Sequence, residues 1–248
     1  TCDLGCAAGA KGGTNFTYWP MLENAGVELR SECRVREILV DEATGFATGV
    51  LYHGADGQVH EQMAELVVVA CNGVGTPRLL LNSKSKAFPD GLANRNGMVG
   101  KNLMFHPLTG VAGVFDEPML GHEGPMACSI LSQEFYETDP TRDFVRGYGL
   151  HSGRSTTPMT YALGGYGVDS PIPWGAEHRE AMDNVYPYLA GLTVVSEDLP
   201  EEHNCVTLDP DLTDSDGIAA PKITYRLGDN TRRMLRHGEE RAKEILLA

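Results

Sequence analysis

Asn72-Gly73-Val74-Gly75 is the stretch of this sequence best suited to holding a ligand. Its glycines can take positive φ or let another group come close to the backbone. Thr76 can cap a helix, Pro77 fits a first helical turn, and Leu79, Leu80 and Leu81 follow. Just upstream, Leu66 to Ala70 is an unbroken, Val-rich apolar run, which predicts a short strand buried on both faces. A buried strand that passes through glycines into a helix N-terminus makes a floor for an anionic cofactor. Gly73-x-Gly75 is half of a dinucleotide fingerprint, with Arg78 where the third glycine would stand. A plain strand–turn–helix of an α/β core satisfies the same spacing.

Other residues invite chemistry and mostly decline it. Cys2 and Cys6 could ligate an iron–sulfur or zinc centre, but such sites need three or four ligands. Lys11-Gly12-Gly13-Thr14 lacks the phosphate-loop spacing, and neither a His-Glu-x-x-His pair nor a Gly-x-Ser-x-Gly elbow occurs. In Asp209-Pro-Asp211-Leu-Thr-Asp214-Ser-Asp216-Gly217, aligning Gly217 with the invariant glycine of a calcium loop places Leu212 and Ile223 where carboxylates are needed. That segment therefore reads as a solvated turn between strands. His106 follows a Gly/Asn-rich loop and is a candidate site residue or a hydrogen-bonded structural histidine. Arg30, Arg34, Arg36 and Arg78 could meet phosphates; Glu28, Glu32 and Glu37, interleaved among them, make solvated ion pairs the simpler expectation.

These residues need a scaffold, and 248 residues with 42% hydrophobic content are enough for one large or two modest domains. A formal net charge of −14 excludes a nucleic-acid footprint or attraction to an anionic membrane. No apolar run approaches the roughly 20 residues that span a bilayer. Six cysteines in this length are not a disulfide scaffold and fit a reducing, cytoplasmic compartment. The chain opens on Thr1 and stops within a helical pattern over Asp229 to Ala248, whose apolar face would hold Leu235, Gly238, Ala242, Ile245 and Leu246. It reads as an internal piece of a longer protein.

Between these ends, strands are predicted at Gly26–Arg30, Cys33–Val40, Thr48–His53, Val59–Gln62 and Leu66–Cys71: an antiparallel excursion feeding a core strand. The polar Gly/Asn-rich residues 84–110 mark a domain boundary. Beyond it, a second antiparallel sheet is expected from Gly110–Phe115, Ser129–Leu131, Leu192–Ser196, Asn204–Leu208 and Lys222–Leu227.

Five blocks of the sequence, in order, resemble the glucose–methanol–choline (GMC) flavoprotein oxidoreductases, and among them the bacterial choline-dehydrogenase-like proteins. They are Gly5-Cys-Ala-Ala-Gly-Ala-Lys11 with Thr17-Tyr-Trp-Pro20, Cys33-Arg-Val35, Ala70 through Ser83, and Val99-Gly-Lys-Asn-Leu103 with His106-Pro107. The fifth combines Glu197-Asp-Leu-Pro200, Asn204 to Asp209, and Asp216-Gly217 with Ile223-Thr-Tyr225. Ser83-Lys84-Ser85-Lys86 departs from the family's Ser-Gly-aliphatic-Gly continuation.

The resemblance implies a mixed α/β fold: part of a Rossmann-like FAD-binding domain with an antiparallel excursion over 1–107, and part of an antiparallel-sheet substrate domain over 108–248. It implies FAD lined by Val35, Ala70, Asn72 and Gly73. It also implies oxidation of a small-molecule alcohol by hydride transfer to the flavin, with a quinone, cytochrome or oxygen as acceptor. The family's glycine box and catalytic histidine would lie outside this chain, so no catalytic residue is carried over. A non-catalytic nucleotide-binding module, and an electron-transfer subunit with an iron–sulfur site at Cys2 and Cys6, remain the alternatives.

Overall fold

The computed structural model describes residues 8–121, 130–153, 157–164 and 173–248. Cys2 and Cys6 lie outside them. The elements in chain order are α1 (Thr14–Thr17), α2 (Trp19–Asn24), β1 (Arg34–Val40), β2 (Ala47–His53), β3 (Val59–Met63), α3 (Asn72–Asn82), β4 (Leu108–Val114), β5 (Ile130–Ser132), β6 (Tyr148–Gly153), α4 (Pro158–Gly164), α5 (Ala176–Val185), β7 (Leu189–Ser196), β8 (Cys205–Thr213), β9 (Ala219–Thr224) and α6 (Asp229–Leu247). Helices thus mix with antiparallel sheet, as the resemblance implies; every ladder among the described strands is antiparallel.

The chain divides into two compact units. One holds Gly26–Met104 and Pro200–Arg226; the other holds the residues up to Ala25, Phe105–Leu199 and Leu227–Ala248. Residues 200–226 thus group with 26–104. The physical reason is a side-chain anchor far apart in sequence. Arg78 on α3 donates from Nη2 to Asp214 Oδ2 at 2.7 Å and from Nε to the Ala219 carbonyl at 2.8 Å, which fixes the β8–β9 hairpin to the helix.

In that first unit β1, β2 and β3 form a meander with Arg34 opposite His53 and Gly49 opposite Met63. Alternating β-branched and polar residues closed by turns favour this arrangement. Ile38 is the buried residue of β1, and its N–H donates to Ser83 Oγ at the end of α3, 2.9 Å away. Gly100 sits at φ +84, and its carbonyl accepts from Val206 N–H at 2.7 Å. A Cβ there would collide with the Val206 carbonyl oxygen, so only glycine allows this approach.

Two expectations fail in this unit. Gly26–Arg30 forms no strand. Leu66–Cys71 forms no strand and joins no ladder among the described residues, and Leu66 and Val68 are 78% and 79% exposed. The Val-rich composition records a segment suited to burial on both faces; the described residues bring no neighbouring strand to it.

The second unit is built on a four-stranded sheet in the order β4-β7-β6-β5. It lacks the strands at 205–224, which form the separate β8–β9 hairpin, and it gains β6, which the sequence does not announce. Helix α6 packs its buried Met234, Gly238 and Ala242 onto β4 and β7. Tyr148, Leu150, Val194 and Phe144 complete this core, while Tyr161, Tyr186 and Leu189 form a smaller one. Two of the five expected α6 face residues, Gly238 and Ala242, are fully buried; Ile245 is exposed.

Candidate functional site

The N-terminus of α3 is built differently from its sequence expectation. The residue at positive φ is Asn72, at +60°, and not Gly73 or Gly75. Asn tolerates the left-handed region because its short amide can bond locally. Here Asn72 Oδ1 accepts from the N–H groups of Val74 at 2.9 Å and Gly75 at 3.1 Å, the role of a cap. Thr76, the expected cap, lies inside the helix, and its Oγ1 accepts from Cys71 N–H at 3.2 Å. The helix therefore starts at Asn72, ahead of the expected cap at Thr76.

Two grooves flank this terminus within the one unit. The first, about 320 Å³, is lined by Cys33, Arg34 and Val35 from the start of β1 and by Cys71, Gly75 and Arg78 from the helix side. The second, about 440 Å³, is lined by Asn72, Gly73, Thr76 and Pro77 on one side and by Val99 to Met104 on the other. Of the four sequence-derived candidates, Val35 lies in the first groove and Asn72 with Gly73 in the second. Ala70 is exposed and lines neither.

The charge around the first groove is largely spent internally. Arg34 Nη1 lies 3.2 Å from Asp214 and 3.0 Å from Asp216, and Arg78 Nη2 lies 2.7 Å from Asp214. Burial pushes the Asp214 carboxyl up. Hydrogen bonds from Arg78 and from the Ile218 and Asp216 N–H groups, with the Arg78 charge, outweigh that and bring it down to about 2. Asp214 is thus a structural anion, more than the solvated turn residue its motif suggested. Arg30 keeps the expected exposed pair with Glu28 at 2.7 Å.

A third groove, about 470 Å³, adjoins Cys33 and Arg34 and takes in His53, Ser215 and Asp216. His53 Nε2 is buried there without a hydrogen-bond partner among the described residues, the mark of a polar group available to a ligand or water. Sequence reasoning passed over His53, because a histidine closing an alternating strand carries no signal of its own. His106, on the other unit, is exposed, and its Nδ1 lies 3.2 Å from the Ser196 carbonyl, a structural contact.

The arrangement fits the nucleotide end of FAD on two structural grounds. A Cβ added at Gly73 would meet nothing within 4 Å, so a ligand can approach the backbone there. That residue lies in the first turn of an 11-residue helix, where the helix dipole favours an anion, although the Val74 and Gly75 N–H groups are already taken by Asn72 Oδ1.

Residues 1–108 match the family model described as GMC oxidoreductase. The chain is 39% identical over 246 residues to the 2-methyl-1,2-propanediol dehydrogenase of Mycolicibacterium austroafricanum, covering 98% of this chain and 44% of that protein. It is 28% identical over 213 residues to the fructose dehydrogenase large subunit of Gluconobacter japonicus, covering 84% of this chain and 37% of that protein. A formate oxidase structure from Aspergillus oryzae shares the fold with a TM-score of 0.53 at 18% identity, over 87% of this chain and 43% of the other. The chain spans less than half the length of these relatives. It belongs to the GMC oxidoreductase family, and the cofactor of that family is FAD.

Proposed function

We propose that this chain contributes the nucleotide side of an FAD site and a substrate-contacting sheet to a flavin-dependent oxidoreductase acting on CH–OH groups of small alcohols. The carrying observation is the capped N-terminus of α3, where Asn72 holds the first turn and Gly73 leaves its backbone open to an anion. In this reading the Gly73 region receives the pyrophosphate, and Val35 presents strand backbone to the adenine. Ala70, exposed in the segment leading to the helix, completes the approach. His53 Nε2 offers a further polar atom nearby within the same unit. The unit carrying 26–104 and 200–226 serves the cofactor; the β4-β7-β6-β5 sheet serves the substrate. When bound, FAD supplies the hydride acceptor for alcohol oxidation. The alcohol and sugar dehydrogenases among the relatives support this substrate class.

The test is a full-length protein that contains this chain. It is expected to purify with bound flavin and to reduce an artificial dye when given short-chain alcohols. Gly73→Val, which fills the open approach, is expected to lower bound flavin roughly tenfold, the worth of one lost charge-assisted hydrogen bond. A colourless full-length protein, or undiminished flavin in a folded Gly73→Val variant, would overturn the reading. The 248-residue chain alone is expected to turn over no alcohol with the same dye.

A further inference from the structure

Cys33 and Cys71 are distant in sequence, yet both are free, both are exposed, and both line the 320 Å³ groove between β1 and α3. Their positions along that groove can be set against a fixed point. Ile38 N–H donates to Ser83 Oγ at 2.9 Å, which ties the far end of β1 to the far end of α3. From that point Cys33 lies five strand residues back and Cys71 twelve residues back along the helix. At about 3.3 Å per strand residue and about 1.5 Å per helical residue, these are about 17 and 18 Å along the chain, which puts both cysteines toward the same end of the groove they line. The backbone of Cys71 is held by the bond from its N–H to Thr76 Oγ1. Its side chain has a clear path because residue 75 is glycine; a Cβ there would sit 3.0 Å from the Cys71 Cβ.

Among the described residues no group of three or more His, Cys, Asp or Glu could hold a metal ion. We infer that Cys33 and Cys71 are a redox-convertible thiol pair that closes to a reversible disulfide across the groove, with a small-molecule disulfide as oxidant. One thiolate attacks the oxidant, forms a mixed disulfide and releases one small thiol. The second thiolate then displaces the other small thiol and forms the Cys33–Cys71 bond. Two electrons pass from the protein sulfurs to the oxidant, and the two protein protons end on the released thiols. The pairing is independent of the flavin reading. Only its consequence, a groove closed to nucleotide when oxidised, rests on that reading.

The experiment is peptide mapping of the whole chain after treatment with glutathione disulfide and alkylation, following all six cysteines. The expected result is a reductant-sensitive Cys33–Cys71 linked peptide as the main product. With it comes a melting temperature about 5 °C or more above that of the reduced chain, since the bridge closes a long loop. Recovery of both residues as glutathione adducts or alkylated thiols, their linkage to other cysteines, or an unchanged or lower melting temperature would overturn the pairing. In the full-length protein, oxidation before flavin addition is expected to reduce FAD uptake about tenfold or more. Equal uptake overturns the closure of the groove, whereas a reduced protein that takes up no flavin overturns the flavin reading instead.

Discussion

Asp214 and Asn72 show how much of this site rests on single side chains. Asp214 receives Arg78, Arg34 and two backbone N–H groups, and its carboxyl is held at about 2. A carboxyl lowered in the folded state contributes stability above its unfolded pKa of about 3.9 and loses it as pH falls toward the folded value. The wild-type chain should therefore lose stability between about pH 4 and about pH 2 from this group. Its side chain is 18% exposed, so solvent screens the pair, and Asp214→Asn is expected to cost about 1 kcal/mol at neutral pH in urea titrations. The variant should also lose that part of the acid slope; an unaltered slope would remove Asp214 from the account. Asn72 carries positive φ and a cap together. Asn72→Gly keeps the conformation and is expected to change stability by about a few tenths of a kcal/mol, while Asn72→Val loses both and should cost about 2 kcal/mol or more. Equal melting of the two variants would contradict the cap. Sequence placed the positive φ on the glycines because their type is permissive. It could not show that an asparagine amide would reach two N–H groups and take the position itself.

Elements were legible where periodicity and burial agree. The strands β1, β2, β3, β4 and β7 and the helix α6 lie where alternation or helical spacing put them, within a few residues. Strand β6 was not legible, because Tyr148-Gly-Leu-His-Ser-Gly153 is buried at three successive residues and shows no alternation. The β8–β9 hairpin was legible as strands but not as part of the first unit; the Arg78–Asp214 pair that places it has no local sequence signature. The apolar run at 66–70 misled for a different reason, since composition states what a segment can bury and says nothing of what stands beside it. Helix α6 offers the sharpest test at this scale. A Cβ at Gly238 would lie 2.5 Å from Val194 Cγ1 and 3.4 Å from the Tyr148 ring. Val194 is fully buried on a strand and β-branched, so it cannot swing away. Helix propensity alone favours Gly238→Ala by about 1 kcal/mol. Overpacking costs about 1–3 kcal/mol and is expected to win, giving a net loss near 1 kcal/mol in chemical denaturation. A more stable Gly238→Ala would show that α6 does not dock this closely.

At the scale of the whole molecule, charge and apolar exposure act against each other. The formal net charge of −14 at neutral pH holds copies of the chain apart, while Leu66, Val68 and Phe46 present large apolar side chains that are each more than three-quarters exposed. Leu66 and Val68 also stand in a Val-rich apolar segment with no strand partner among the described residues, the combination that invites edge-to-edge association. Repulsion vanishes near the isoelectric point of about 4.9, so turbidity is expected to peak close to that pH and to fall on either side. If the 66–70 segment carries the association, Leu66→Thr with Val68→Thr should lower turbidity at that pH. The pair should leave the melting temperature almost unchanged, because side chains this exposed contribute within about 0.5 kcal/mol to folding. Turbidity equal to wild type would move the sticky surface elsewhere, with Phe46 the next residue to replace. A marked drop in melting temperature would mean instead that the segment is buried in solution, which would restore the interior strand that its sequence pattern describes.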